Sequence, residues 1–192
     1  GKGKEGVVYV GCIDSKCTNS IAIKISQGIL MTEYVIARFA HKYSKNVIKP
    51  IQVEKCNNRQ IMYMEYIAGD TLKNWILKNK PTHDDYKTII FQVITALKDI
   101  QKANPTFRHN DLHTENIMIG NSDKGIRVAI SDFGFANINT LSTYGDDFKN
   151  DYGIAVDNDP KYDMHLFLNG FIGEVYRKND KHSISTFEFL KS

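Results

Sequence analysis

The chain has 192 residues, enough for one large domain or two small lobes sharing a cleft. It is 42% hydrophobic and 24% charged, an ordinary globular balance that excludes a disordered or fibrous chain. The net charge of +3 is small and its lysines are scattered (Lys73, Lys78, Lys80, Lys87), which argues against a nucleic-acid partner.

Three cysteines, Cys12, Cys17 and Cys56, show no repeated CxxC spacing. They predict neither a disulfide framework nor a zinc site, and a reducing, intracellular compartment follows. No apolar run approaches the roughly 20 residues of a membrane helix, so no membrane span is expected. The chain opens on Gly-Lys-Gly-Lys without a signal-peptide pattern. Gly1 already belongs to a motif, so the start of the protein is expected upstream.

Val7 to Val10 and Ile21 to Ile25 are short β-branched runs and predict two strands, joined by the polar stretch Gly11 to Ser20. Thr32 to Tyr43 has helical spacing of Val35, Ile36, Phe39 and Ala40, with Thr32 as a cap. Pro50 and Asn57-Asn58 punctuate the chain before a strand from Gln60 to Ile67, and Ala68-Gly69-Asp70 turns it. Leu72, Trp75, Ile76 and Leu77 suggest a short helix. Asp84 to Ala103 is the strongest helix, with a stripe of Ile89, Ile90, Val93, Ile94, Leu97 and Ile100 and Asp84 or Asp85 near its start. Strands Ile117 to Ile119 and Val128 to Ile130 flank a turn. The chain then reads as loop to about Tyr162, and a last helix covers Asp163 to Tyr176.

Four motifs carry chemistry. Gly1, Gly3 and Gly6 form a glycine-rich loop of the kind that lets backbone approach phosphates. Taken singly, such a loop also marks dinucleotide folds and plain turns. A second β-branched run follows it instead of a helix, which favours a hairpin flap over a dinucleotide site. Lys24 ends the apolar run Ile21-Ala22-Ile23, and its ammonium can pair phosphates if a carboxylate holds it; Glu33 is the candidate partner. Taken by itself it reads as a surface lysine snorkelling from a strand to solvent. In His109-Asn110-Asp111-Leu112-His113-Thr114-Glu115-Asn116, Asp111 can accept a hydroxyl proton and Asn116 can offer an amide oxygen to magnesium. Asp132, before Phe133-Gly134, is an apt second magnesium ligand.

GxGxxGxV, [VI]AIK, HxDLxxxxN and DFG stand here in the order and rough spacing of the eukaryotic-type protein kinases, and the chain resembles that family from Gly1 to about Tyr176. The resemblance implies an α+β, two-lobed fold with ATP in the cleft. The strand-rich N-lobe would cover residues 1–67, a reduced helical C-lobe residues 68–192, with a hinge at 65–70. It implies that Gly1, Gly3 and Gly6 cover the phosphates and that Val8 and Ala22 touch adenine. Met64 would be the gatekeeper, Glu65, Tyr66 and Ile67 the hinge, and Met118 the adenine floor. Lys24 would pair with Glu33, Asp111 would be the base, and Asn116 and Asp132 would hold Mg2+. Asp163 resembles the buried aspartate that braces the catalytic loop.

The sequence departs from that family in three places. Asn110 replaces the usual arginine, which argues against switching by activation-loop phosphorylation. His113 replaces the usual lysine, as in haspin-like kinases and aminoglycoside phosphotransferases. No Ala-Pro-Glu follows the DFG. The expected function is transfer of the γ-phosphoryl group of Mg-ATP to serine or threonine of a protein substrate. The alternatives are a small-molecule kinase of the aminoglycoside or choline type and a pseudokinase scaffold. A minimal kinase of the sort large DNA viruses carry would act in the cytoplasm or nucleus, of the host cell if viral.

Overall fold

The computed structural model describes residues 2–3, 6–28, 30–123, 125–144, 159–178, 184–185 and 188. β1 (Lys2–Gly3), β2 (Gly6–Cys12), β3 (Ser20–Ser26), β4 (Pro50–Cys56) and β5 (Arg59–Glu65) form one antiparallel sheet in the order β1-β2-β3-β5-β4. α1 (Leu30–Tyr43) packs on β4 and β5. The second part carries β6 (Asp70–Thr71), α2 (Leu72–Lys78), α3 (His83–Ala103), β7 (Ile117–Ser122), β8 (Gly125–Ile130), β9 (Asn137–Ile138), β10 (Leu141–Ser142) and α4 (Tyr162–Lys178). This is a reduced, two-lobed α+β architecture, strand-rich first and helix-rich second.

The register of the large sheet builds one wall of a cleft. Val8 lies opposite Lys24, which lies opposite Met62; Val10 lies opposite Ala22, which lies opposite Met64. Directly opposed residues share a sheet face, so these two rows point the same way. The parts are joined at β8, where Ile48 N–H donates to the Ile130 carbonyl at 2.8 Å and Ile130 N–H donates to the Asn46 carbonyl at 2.8 Å.

Several boundaries differ from the sequence expectation. β4 was read only as punctuation around Pro50. It is an edge strand whose residues are mostly exposed, so it lacks the apolar alternation that marks a strand. α1 begins at Leu30, and its early Met31 N–H is satisfied by the Gln60 side chain of β5 at 2.9 Å, not by a Thr32 cap. α3 is capped by Thr82, whose oxygen accepts Asp85 N–H while the Asp85 carboxylate accepts Thr82 N–H. Its buried residues are Tyr86, Ile89, Val93, Ala96, Leu97 and Ile100; Ile90 and Ile94 are half-buried flanks. The stretch after Asp132, read as loop, contains the small β9–β10 hairpin.

The cysteine expectation is corrected as well: Cys12 and Cys17 form a disulfide, and Cys56 is free and exposed. The connection between β2 and β3 folds back around the Asp14 carboxylate, which accepts from Lys16, Thr18 and Asn19 N–H. That loop brings the two Cα atoms to 4.9 Å, within disulfide range. Those hydrogen bonds, led by Thr18, lower the Asp14 pKa to about 2.

Gly69 lies in the turn after β5, where a Cβ would overlap the backbone carbonyl of Ile119 in β7. Backbone cannot swing aside as a side chain can. Gly69→Ala is therefore expected to cost about 1–3 kcal/mol, by the usual cost of overpacking. Thermal denaturation should show a melting temperature lower by about 3–10 °C; an unchanged value would contradict the close approach.

Candidate active site

A cavity of about 380 Å³ lies beneath β2 and β3. Val8, Ala22, Lys24, Glu33, Met64, Glu65, Ile67, Asn116, Met118 and Asp132 all line it. These residues are scattered over more than a hundred positions in the chain, yet each was singled out from sequence. Gly3 pairs with Gly6 in the β1–β2 hairpin. Gly6 has φ 148°, and a Cβ there would crowd the Ile25 carbonyl, so that position requires glycine. Gly1 lies outside the described residues.

Lys24 is central. Its Nζ is 2.9 Å from both Glu33 carboxylate oxygens and 2.9 Å from Asp132 Oδ1. Lys24 is 4% exposed and Glu33 3%, whereas the Asp132 side chain is 43% exposed. Burial disfavours the ammonium, but Glu33 and Asp132 outweigh it and hold the Lys24 pKa above the ordinary lysine value. Burial also opposes the Asp132 charge, and Lys24 overrides it, holding that carboxyl below its ordinary range. The nine-residue interval from Lys24 to Glu33 suffices because α1 starts soon after β3 ends.

Facing Lys24, the cavity is lined by Glu115 and Asn116 at the end of the loop that carries Asp111; Asp111 itself is not among the lining residues. Asp163, fully buried at the start of α4, accepts His109 N–H at 2.7 Å and Asn110 N–H at 2.8 Å. Its burial raises its pKa against those donors. His109 packs against Phe133, and its Nε2 donates to the Ser131 carbonyl at 3.1 Å. Asn110 has φ 65° and donates to the Phe135 carbonyl and to Asn137 Oδ1, both at 2.8 Å. A neutral amide thus holds the segment after Asp132 where the resemblance expects an arginine.

Asn116 Nδ2 donates to the Asp111 carbonyl at 2.8 Å and to its carboxylate at 2.9 Å. His113 Nε2 lies 3.5 Å from the same carboxylate, and this contact raises the His113 pKa against its partial burial. Ser131 N–H and Oγ both donate to the Asn116 carbonyl, at 2.9 and 3.1 Å. Asn116 is thereby tied to the residue preceding Asp132. The Lys24–Asp132 pair and the Asn116–Asp111 pair are thus linked through the backbone at Ser131.

The sequence profile of the protein kinase domain matches residues 1–152. The chain belongs to the protein kinase family. It is similar to the R400 protein of Acanthamoeba polyphaga mimivirus, whose name places it provisionally among serine/threonine-protein kinases. The two are 27% identical over 144 residues, covering 60% of this chain and 31% of that protein. The 098L protein of Invertebrate iridescent virus 3, provisionally named a kinase, is 28% identical over 131 residues, 60% of this chain and 25% of its own length. The PknB protein of Lactococcus lactis, provisionally named a serine/threonine-protein kinase, is 26% identical over 155 residues, 73% of this chain and 25% of its own length. The aligned part is thus about a third or less of each of these relatives.

Tyr66, expected in the hinge, also lines the cavity, whereas sequence reasoning missed Tyr9, Val10, Ile48, Thr71, Glu115 and Ser131. Val10 was within reach, because period-two alternation puts it on the face of Val8. Ile48 and Thr71 carry no local signal; only packing brings them there. Among the described residues no helix is long and apolar enough to cross a membrane.

Proposed function

We propose that the chain transfers the γ-phosphoryl group of Mg-ATP to serine or threonine hydroxyls of a protein. One observation carries this reading: a buried lysine held by two carboxylates lies on the same cavity as Asn116, which is bonded to Asp111. The lobe boundary is proposed at 65–70, with residues 1–67 and 68–192 on its two sides.

Val8, Ala22 and Met118 offer an apolar slot for a planar base, and backbone groups of Glu65 and Ile67 lie at its edge. Lys24, fixed by Glu33, presents positive charge to phosphate oxygens, which Gly3 and Gly6 would cover. Asp111 receives the proton of the attacking hydroxyl. His113, held by Asp111, adds a donor beside it.

The donor set fits magnesium. Asn116 commits its amide nitrogen to Asp111, which leaves the amide oxygen as an acceptor, and the Asp132 carboxylate is partly open. Both are hard oxygen donors. Among the described residues no group of three or more His, Cys, Asp or Glu is arranged to hold a metal. Two protein donors are what magnesium takes when phosphates and water complete its shell. When bound, the ion neutralises phosphate charge. Phosphoryl transfer has a loose transition state, so positioning and fixed charge supply most of the rate.

The test is transfer from γ-labelled ATP onto a serine, threonine and tyrosine peptide library, beside a panel of aminoglycosides and choline. Label on serine or threonine peptides is expected. Label only on small alcohols would replace the reading with a small-molecule kinase. No transfer, with ATP binding retained, would leave a scaffold.

A further inference from the structure

We infer that Arg127 is a positioning residue for the adenine edge of the cavity, an inference that rests on reading that cavity as an ATP site. Arg127 Nη2 lies 2.8 and 2.9 Å from the two carboxylate oxygens of Glu65. Glu65 also accepts Lys49 N–H at 2.7 Å through its side chain and donates its own N–H to the Lys49 carbonyl at 2.9 Å. One residue at the end of β5 is thus locked to the approach to β4 and to β8 at once.

The anchor beneath is firm. Arg127 lies opposite Gly120 in the β7–β8 ladder. The Gln92 side chain of α3 grips the backbone on either side of it: Nε2 donates to the Ile126 carbonyl at 2.8 Å, and Oε1 accepts Val128 N–H at 3.0 Å. Arg127 therefore projects from a stretch of β8 that cannot easily shift, and it transmits that position to Glu65. The Glu65 and Ile67 segment lines the cavity in the same region as Met118 of β7.

The pair is half-buried, with side chains 32% and 22% exposed, a setting in which an ion pair adds little to global stability. Its consequence is geometric. Backbone groups that recognise a planar base must sit at the correct distance and angle, and small misplacements are costly. Losing the latch frees the hinge segment to drift while Lys24, Asn116 and Asp132 keep their places. Binding of the base suffers, and binding of the phosphates does not.

The experiment is calorimetric titration of the full chain with Mg-ATP and with magnesium triphosphate. For Arg127→Met, affinity for Mg-ATP is expected to fall about two- to fivefold, the range an ion pair of this exposure can supply. Affinity for triphosphate should stay as in the wild type. Arg127→Lys should recover part of the loss, because one ammonium can reach Glu65 without the guanidinium's planar grip. Glu65→Gln should match Arg127→Met, and the double variant should add nothing. Unchanged ATP affinity in Arg127→Met would overturn the inference alone. An equal fall for ATP and triphosphate would overturn it too, as a general loss of fold. A wild type that binds triphosphate no worse than ATP would sink the ATP reading together with this inference.

Discussion

Asp111→Asn is expected to slow phosphoryl transfer by about 10²–10⁴-fold, the range a positioned general base supplies. The substitution keeps the size and shape of the side chain and removes the acceptor charge. Asp111 holds its place through Asn116 Nδ2, which also bonds the Asp111 carbonyl, and that second bond survives the change. Its support comes from Asp163 through the backbone of His109 and Asn110, which the substitution leaves intact. Nucleotide affinity should therefore change by less than about threefold, the pattern of a group that acts in the transition state. Single-turnover transfer from labelled ATP measures the first quantity and titration with Mg-ATP the second. Retention of the wild-type rate within tenfold would remove Asp111 from the role of base.

Lys24→Met should cost both stability and activity. Methionine replaces the stem but leaves the Glu33 carboxylate, 3% exposed, without its cation. Removing one partner of a buried ion pair is expensive, and at pH 7 the expected loss is about 3–5 kcal/mol. The melting temperature should fall by about 6–20 °C. The double variant Lys24→Met with Glu33→Leu should recover most of that loss, because it removes the buried carboxylate together with its cation while still abolishing transfer.

The pH dependence has a definite sign. In the wild type the Lys24 pKa is raised on folding. The contribution of the pair is thus fully present below the ordinary lysine value and is lost only as pH rises through the folded value. In Lys24→Met, Glu33 can escape its penalty by taking a proton. The stability gap between the two proteins should then narrow as pH falls from 7 toward 5. A gap that is constant over that range would mean that Glu33 finds another partner or water.

Local sequence determined which residue types stand at each point of the site. The β-branched runs, the glycines before them and the polar loop ending in Asn116 are each legible because their chemistry repeats at short range. Their β-branched, apolar character placed Val8, Ala22 and Lys24 on strands, and the stripe in α3 announced a helix. The order of the four motifs brought out the family.

The tertiary structure decided what no short window contains. Edge strand β4 is mostly exposed, so its place in the sheet comes from pairing with β5 and not from its own pattern. The disulfide between Cys12 and Cys17 follows from the way the β2–β3 connection wraps Asp14, which cysteine counting does not capture. Arg127 reads as an ordinary surface cation until its guanidinium is seen on the Glu65 carboxylate at the end of β5. Side chains distant in the chain meet only after the backbone has closed its loops. Their contacts depend on packing and register, and hydrophobic periodicity reports each element singly, without saying which neighbour it will face.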